Sequence, residues 1–271
     1  MMMAFLFFEL AFASSSLTTN SGLVFVRIPK GQFEMGSPSS EKNRDKDERS
    51  SKVELTHDFY VSQTEITQAV WTLHMKNESR FQGDNLPVES LDWFQAVQFA
   101  NAFSKAEGVE TCYEIVDTDV SWPKGYECRG YRLPTEAEWE RAARGGKPGN
   151  EGLGGELNEI AWIYENSGKT THPVGQKKPN DYGLYDMFGN VAEWVWDLHE
   201  NYSKNSVDPK GAARVAEGER TFRVRRGGGY TTGAEWVRPA DRYSLNPENR
   251  HAFLGIRLVR TIPNVVDQQS E

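Results

Sequence analysis

Regular hydrophobic periodicity is confined to the first half of this 271-residue chain, and this limits the folds it can adopt. Beyond residue 150, short apolar segments alternate with Gly, Pro, Asn and Asp, and only Thr221 to Arg226 and Phe253 to Thr261 have the pattern of strands. Eight Trp and an aromatic content of 12% indicate a folded, aromatic-rich core. We therefore expect an irregular, loop-rich α+β fold.

Three helices are predicted before residue 150. The first begins near Thr67, and the second runs from about Leu91 to Ala106 with apolar residues at helical spacing. The third follows Pro134, where Thr135 and Glu138 form a T-x-x-E capping box.

Strand patterns flank these helices. Leu23–Ile28 and Phe33–Met35 predict a hairpin around a Pro-Lys-Gly turn, and Val53–Val61 predicts a further strand. Residues 38–52 mix charges of both signs without apolar periodicity, which is typical of a solvated loop. Since there is no internal repeat or linker, we expect one domain over residues 21–265 and a short tail at 266–271.

The N-terminal segment, residues 1–20, reads MMMAFLFFELAFASSSLTTN. A short apolar run ends in an A-x-A pattern at Ala13, which predicts a secretory signal and export to the bacterial periplasm or the exterior. No Lys or Arg precedes the run, and Glu9 lies inside it. The alternatives are a mis-assigned start codon or an apolar tail packed on the domain.

Charge and hydropathy argue against two further classes of protein. The net charge of −8 argues against a general nucleic-acid binder, because phosphate neutralisation needs clustered Lys and Arg. No window of about 18 apolar residues is present, so we expect no transmembrane span.

Cys112 and Cys128 are the two cysteines of the chain. In an exported protein they predict a disulfide, which would contribute about 3 kcal/mol for a loop of roughly 15 residues. A pair of thiolate ligands for a soft metal is the alternative, but no His lies near either cysteine in the sequence.

Seven stretches, in order along the chain, resemble the formylglycine-generating enzyme domain, also called the sulfatase-modifying factor family. They are IPKGQFEMGS (28–37), FYVSQTEITQAVW (59–71), NLPVESLDWFQAVQFANAFS (85–104), GYRLPTEAEWERAARGG (130–146), HPVGQKKPNDYGLYDMFGNVAEWVWD (172–197), RVRRGGGY (223–230) and NRHAFLGIRLVR (249–260). Together they cover nearly the whole chain. The resemblance implies the family's variant of the C-type-lectin fold.

The segment LYDMFGNVAEW resembles the family's structural calcium loop. The resemblance places the ligands at Asp186, Gly189, Val191 and Glu193, with Gly189 and Val191 contributing backbone carbonyls. Carboxylate and carbonyl oxygens are the ligands that Ca²⁺ prefers. The alternative is that Asp186 caps a turn and Glu193 pairs with an arginine.

The family's catalytic motif is not matched. In its oxygen-using enzymes, two cysteines after the glycine triplet bind copper(I) and oxidise a substrate cysteine, whereas this chain has Thr231, Thr232, Gly233 and Ala234 in that region. Hydroxyl groups cannot replace thiolates as copper(I) ligands, so copper is not expected. An iron-dependent branch uses a histidine cluster, but the five histidines here are scattered.

The segment 230–243 therefore reads as a recognition surface for an unidentified protein or small molecule, as in the family's non-catalytic branches. Aromatic residues offer rigid contact area and arginines offer bidentate pairing, and the candidate ligand-binding residues are Tyr230, Thr232, Trp236, Arg238 and Tyr243. Nearby carboxylates could instead neutralise the arginines. We expect Arg242, Arg250 and Arg257 to bridge loops, and Trp194 and Trp196 to pack in the core.

A second hypothesis is an oxidoreductase that acts on a peptide or small molecule without the cysteine pair. It requires a general base, for which Glu235 or Asp241 would serve if buried with a raised pKa. An open cleft with such a carboxylate inside would favour this hypothesis, and a neutralised surface would favour recognition.

Overall fold

The computed structural model describes residues 15–149, 155–211 and 221–263, which form short strands and few helices joined by irregular loops. The strands are β1 (Ser16–Thr18), β2 (Val24–Ile28), β3 (Gly31–Met35), β4 (Ser51–Leu55), β5 (Phe59–Ser62), β6 (Glu114–Val116), β7 (Asp119–Ser121), β8 (Tyr131–Arg132), β9 (Ala192–Leu198), β10 (Ser206–Val207), β11 (Arg223–Arg226), β12 (Arg242–Leu245), β13 (Leu254–Ile256) and β14 (Val259–Thr261). The α-helices are α1 (Gln68–Thr72), α2 (Trp93–Ala106), α3 (Glu136–Ala143) and α4 (Leu157–Ile160). This is the irregular α+β architecture that the sequence predicts.

A five-stranded antiparallel sheet has the order β1-β2-β5-β14-β8 and joins the first and last described strands. Because β1 contains residues 16–18, the folded domain begins before residue 21, the boundary expected from the sequence. Residues 1–14 of the expected leader and the tail at 266–271 lie outside the described residues. None of the helices in the described ranges is long and apolar enough to cross a bilayer.

The predicted hairpin between Leu23–Ile28 and Phe33–Met35 is wrong. β2 pairs with β1 and β5, whereas β3 pairs with β4 in a second sheet of order β10-β4-β3. The predicted strands Val53–Val61 and Phe253–Thr261 are each divided in two, and the two halves belong to different sheets. The turn at residues 29–31 therefore does not determine the pairing, because β2 and β3 each find their partners in other strands.

The three helices predicted before residue 150 are present. Thr67 begins α1, and Thr135 begins α3 by accepting a hydrogen bond from the backbone N–H of Glu138. The Glu138 side chain accepts from the backbone N–H of Thr135, which completes the predicted capping box. Asp92 and Gln95 form a second capping box at the start of α2.

Aromatic side chains fill the interior. Trp194 and Trp196 of β9 are buried, as the sequence predicts. The ring centroid of Trp196 lies 5.5 Å from that of Trp93 in α2 and 5.0 Å from that of Tyr113. Aromatic pairs of this kind contribute about 0.5–1.5 kcal/mol each beyond the area that they bury.

The predicted disulfide between Cys112 and Cys128 is present, with the two Cα atoms 5.6 Å apart. It closes the loop that carries the β6–β7 hairpin and leads into β8. Since the chain contains no other cysteine, both of its thiols are used in this bond.

Helix α3 carries three buried glutamates, Glu136, Glu138 and Glu140. Glu138 accepts two hydrogen bonds of 2.7 Å from the guanidinium of Arg132 in β8. Glu136 accepts hydrogen bonds of 2.8 Å and 2.6 Å from Arg242 in β12. Buried charges persist only when they are paired and hydrogen-bonded, so these contacts fix the helix to strands of two different sheets.

Asp197 of β9 lies at the N-terminus of the same helix, where its Oδ2 accepts a hydrogen bond of 2.7 Å from the backbone N–H of Glu136. Burial, together with repulsion from the Glu136 carboxylate, raises the pKa of Asp197 from 3.8 to about 8. The folded protein therefore holds a proton here over a pH range in which the unfolded chain does not.

We predict that Asp197 makes the protein less stable as the pH rises from 3.8 towards 8. In that window the folded state binds more protons than the unfolded state, so each pH unit removes at most about 1.4 kcal/mol from the free energy of unfolding. Urea unfolding of the wild type and of Asp197→Asn, which keeps an oxygen acceptor but does not titrate, measures the difference. The wild-type curve should fall more steeply with pH, and parallel pH dependences would contradict the prediction.

Candidate functional site

A four-stranded sheet of order β12-β11-β9-β13 divides the arginines of this region between two environments. Arg225 and Arg226 are adjacent in β11, so their side chains lie on opposite faces of the sheet. Arg225 is the cross-strand partner of Tyr243 in β12, and Arg226 is the partner of Arg242. One face therefore carries Arg226 and Arg242, and the other carries Arg225 and Tyr243.

Arg226 is buried between α3 and the segment before β12. Its guanidinium is ion-paired with Glu140, and it donates to the backbone carbonyls of residues 239, 240 and 241 at 2.9, 2.9 and 2.6 Å. Its Cζ atom lies 5.1 Å from the centroid of the Trp139 ring. Arg226 thereby fixes the C-terminal part of the segment 230–243 to the helix.

On the opposite face there is a cleft of about 640 Å³, which we call the β11–β12 cleft. Aromatic walls are formed by Tyr164, Trp236, Tyr243 and Phe253. Trp236 is the last residue of a short 3-10 helix, Ala234–Trp236, and is partly exposed. The volume lies within the range of small-molecule sites, which are mostly apolar with a few polar groups.

The polar residues of the cleft differ in their exposure to solvent. Glu165 and Glu235 are exposed, and the Glu165 carboxylate accepts a hydrogen bond of 3.1 Å from the backbone N–H of Ala234. Thr231 is exposed, whereas Thr232 is partly buried and accepts a hydrogen bond from the backbone N–H of Gly229 at 2.9 Å. Two acidic residues and one arginine therefore line the cleft.

Arg225 is the arginine of the cleft lining. Its guanidinium carbon lies 4.6 Å from the ring centroid of Tyr243 and 5.3 Å from that of Phe253. Within the part of the chain that the structure describes, its Nε has no hydrogen-bond partner. Burial lowers the pKa of Arg225, although the charges of Asp241 and Tyr243 act in the opposite direction.

The glycine triplet between β11 and the cleft is required by the backbone geometry. Gly227 and Gly228 have φ angles of +90° and +66°, a region that side chains disfavour. A Cβ atom on Gly227 would lie 3.0 Å from the carbonyl oxygen of Met187. The triplet is therefore a structural turn that carries the chain from β11 to the cleft loop.

The structure places the predicted ligand-binding residues in three different positions. Thr232, Trp236 and Tyr243 line the cleft together. Tyr230 is buried and packs edge-to-face on Phe81, with centroids 5.6 Å apart, so it does not line the cleft.

Arg238, the fifth predicted residue, is also buried rather than exposed. It donates to Glu48 at 2.6 and 2.7 Å and to Glu41 at 2.8 Å. These glutamates belong to the segment 38–52, which the sequence indicated as a solvated loop. The mixed charges of that loop include the carboxylates that neutralise Arg238, so this arginine is not available to a ligand at the surface.

The two candidate general bases lie in contrasting environments. Burial raises the pKa of Asp241 to about 7, but its carboxylate lies next to Arg238 and does not line the cleft. Glu235 lines the cleft but is exposed. The carboxylate with the raised pKa therefore lies outside the cleft.

The segment that resembles a calcium loop contains an unsatisfied buried oxygen. Asp186 is 2% exposed, with Oδ2 accepting a hydrogen bond of 2.6 Å from the backbone N–H of Gly175. Its Oδ1 is buried and has no hydrogen-bond partner among the described residues. Burial raises the pKa of Asp186 to about 6.

Glu193, the other carboxylate that the resemblance assigned to calcium, pairs with an arginine, as in the stated alternative. Arg257 donates to its two oxygens at 3.0 Å, and Trp139 Nε1 donates at 2.6 Å. Burial, followed by repulsion from Asp186 and Glu193, raises the pKa of Glu65 well above its ordinary value.

Glu65 was missed at the sequence level, although it lies in a stretch that resembles the family. Its carboxylate accepts hydrogen bonds from the backbone N–H of Val191 at 2.9 Å and from the Asn190 side chain at 2.7 Å. Three buried carboxylates therefore lie in this region, and the guanidinium of Arg257 donates hydrogen bonds to that of Glu193. The hard oxygen donors and the unsatisfied Oδ1 of Asp186 fit a bound cation.

The other arginines assigned to loop bridging have that role. Arg242 and Arg257 are buried and paired with Glu136 and Glu193. Arg250 is more exposed and pairs with Asp92 and Glu78.

We predict that substitutions of the two adjacent arginines of β11 differ in their effect on stability. Arg226→Gln should lower the free energy of unfolding by about 3–5 kcal/mol, because it leaves Glu140 buried without this partner. Arg225→Gln should change it by less than about 1 kcal/mol, since that guanidinium has no carboxylate bonded to it. Urea unfolding of both variants measures the two values, and equal losses would contradict the conclusion that Arg226, and not Arg225, is bonded to a buried carboxylate.

Comparisons with known proteins agree with this architecture. The family model of the sulfatase-modifying factor enzyme 1-like domain matches residues 12–262. The chain is 34% identical over 243 residues to a protein named chaperone protein LppX from Paenibacillus barcinonensis, covering 75% of this chain and 80% of that protein. It is 29% identical over 280 residues to the formylglycine-generating enzyme of Streptomyces coelicolor, covering 86% and 87%. The solved structure of Treponema denticola variable protein 1 has a TM-score of 0.79 and 32% identity, covering 90% of this chain and 98% of that one.

Proposed function

This chain belongs to the sulfatase-modifying factor enzyme 1-like domain family, and we propose that it is an exported recognition or accessory module that binds its ligand in the β11–β12 cleft. Its fold is the C-type-lectin-like fold of the formylglycine-generating enzyme type. The observation that carries the proposal is the convergence of Thr232, Trp236 and Tyr243 on one cleft. Rigid aromatic side chains of this kind supply contact area at low entropic cost.

The disulfide between the two cysteines favours a recognition role over copper-dependent oxidation of a substrate. Copper(I) chemistry of the family's type requires two thiolates after the glycine triplet, and Thr231 and Thr232 stand in that region. Both cysteines of the chain are joined in a disulfide elsewhere in the fold. The relatives include a protein named as a chaperone as well as one named as a formylglycine-generating enzyme. The first of these names supports an accessory role.

The copper-independent oxidoreductase receives less support from the geometry. It needs a carboxylate with a raised pKa inside the cleft, and the carboxylate of Asp241 lies behind the cleft, beside Arg238. The disulfide also supports export, because disulfides persist in oxidising compartments.

The recognition role predicts that aromatic ligands depend on Trp236. Saturation-transfer NMR with a library of aromatic fragments should identify binders of the wild type whose signals fall at least fivefold with Trp236→Ala, because the cleft loses an aromatic wall. Phe222→Ala is the control, since Phe222 is an exposed aromatic that does not line the cleft. An absence of binders, or equal losses in the two variants, would count against the cleft as the recognition site.

We also propose that Ca²⁺ stiffens the scaffold at Asp186, with the carbonyl oxygens of Gly189 and Val191 and the carboxylate of Glu193 as further ligands. The unsatisfied Oδ1 of Asp186 supports this proposal. A cation would also offset the negative charge of this group of carboxylates, which Arg257 and Lys177 compensate in part.

Calcium binding predicts a stability change that depends on Asp186. At a Ca²⁺ concentration of about 100 times the dissociation constant, the free energy of unfolding should rise by about 2.7 kcal/mol. Thermal unfolding of chelator-treated protein with Ca²⁺ or Mg²⁺ measures the increase, which should be lost in Asp186→Asn. The control is Asp181→Asn, an exposed carboxylate paired with Lys147. Equal melting temperatures with and without Ca²⁺ would contradict the proposal.

A further inference from the structure

We propose that the ligand of the β11–β12 cleft is a monocarboxylate with a planar ring: Arg225 binds the carboxylate, and Trp236 and Tyr243 contact the ring. This inference rests on the proposed function, because it specifies the chemical class that the recognition cleft accepts.

The first argument is the bonding of Arg225 compared with other arginines near it. Arg226, Arg238 and Arg242 each donate to at least one carboxylate and to backbone carbonyls. Arg223 also lies over aromatic rings, yet it still donates to the carbonyl of Trp196 at 2.5 Å. In the described ranges, by contrast, no residue accepts a hydrogen bond from the Arg225 guanidinium. No acceptor from the described residues therefore occupies this guanidinium; because Nε is buried, a ligand in the cleft would contact the two terminal nitrogens.

The second argument is the position of Arg225 in the cleft. The rings of Tyr243 and Phe253 hold the guanidinium by cation–π contact at 4.6 and 5.3 Å. A planar guanidinium fixed in this way presents a pair of N–H donors in a defined direction, which matches the two oxygens of a carboxylate. Burial lowers the pKa of Arg225, and a bound anion would restore the stabilisation of its charge that desolvation removes.

The third argument is the charge of the cleft as a whole. Arg225 is its one arginine, while Glu165 and Glu235 contribute two carboxylates among the residues that line it. A dianion such as a phosphate monoester would be attracted by one charge and repelled by two. A monocarboxylate gains the bidentate contact with less repulsion, and a cationic substituent directed towards the glutamates would be tolerated.

The aromatic walls define the rest of the ligand. Trp236 and Tyr243 line the same cleft as Arg225, and both are partly exposed. A ring attached to the carboxylate can therefore contact these side chains by offset or edge-to-face packing. Benzoate is the smallest probe that contains both features, and benzamide is its neutral counterpart of the same shape.

The test is an NMR titration of the full domain with benzoate, benzamide and inorganic phosphate. The indole N–H signal of Trp236, assigned by its loss in Trp236→Phe, reports on the cleft in every variant. Benzoate should shift this signal saturably and bind at least about tenfold more tightly than benzamide, which is the range of one charge-assisted hydrogen-bonded contact. Phosphate should neither shift the signal nor displace benzoate.

Variants separate the carboxylate contact from general binding. Arg225→Gln should abolish the preference for benzoate over benzamide, and Arg225→Lys should reduce it, because an ammonium keeps the charge without the planar pair of donors. Arg260→Gln is the matched control: Arg260 lies in β14 of the five-stranded sheet, is partly exposed and bonds to the carbonyl of Arg129. It should retain the full preference.

The outcomes distinguish this inference from the proposed function. If benzoate and benzamide bind equally in the wild type, or if the preference survives Arg225→Gln, the carboxylate inference is wrong while the recognition cleft stands. Tighter binding of phosphate than of benzoate would contradict the assignment to monocarboxylates. If neither aromatic probe gives a saturable shift of the Trp236 signal, both the inference and the cleft's recognition role are contradicted.

Discussion

The buried carboxylate of Glu140 in helix α3 is where three separate parts of the chain are joined. It is ion-paired with Arg226 of β11 and with Arg144 just after the helix, and it accepts a hydrogen bond from the backbone N–H of Gly36 at 2.7 Å. The neighbouring glutamates of the helix bind Arg132 and Arg242 in the same manner. A loop-rich domain has few regular backbone ladders, so buried side-chain pairs of this kind take over the task of fixing loops in place. The segment that forms the β11–β12 cleft is positioned through this network.

The sheet keeps this network apart from the cleft. Arg226 and Arg242 face the helix with their hydrogen bonds largely satisfied, whereas Arg225 and Tyr243 face the cleft from the same two strands. Alternation along a strand thus gives adjacent residues different surroundings, with one facing the helix and the next facing the cleft. The arginines that face the helix carry the structural contacts, whereas the guanidinium in the cleft has no acceptor at Nε among the described residues.

Local signals in the sequence predicted local features well. Helix α2 begins at Asp92, next to the start predicted from apolar periodicity, and α3 begins at Thr135, where the T-x-x-E pattern predicted it. The disulfide joins the two cysteines that were expected to form it. The family's motifs predicted the fold. Features that depend on distant partners were not predictable: the hairpin at Pro29 failed because β2 and β3 pair elsewhere, and the burial of Arg238 depends on Glu48 in a loop far along the chain. Nor does the sequence RVRR tell which arginine faces the helix.

The order of the five-stranded sheet has a consequence for how the domain acquires its structure. Strand β5 pairs on one side with β2, which is close in sequence, and on the other with β14, which lies about 200 residues later. During synthesis, this inner strand keeps one unpaired edge until residues 259–261 emerge. Pairing over such separations is slow, and an open strand edge is prone to association with other chains. Aggregation before completion is therefore a hazard at β5, and a domain of this topology benefits from a chaperone or from rapid release of its last strand.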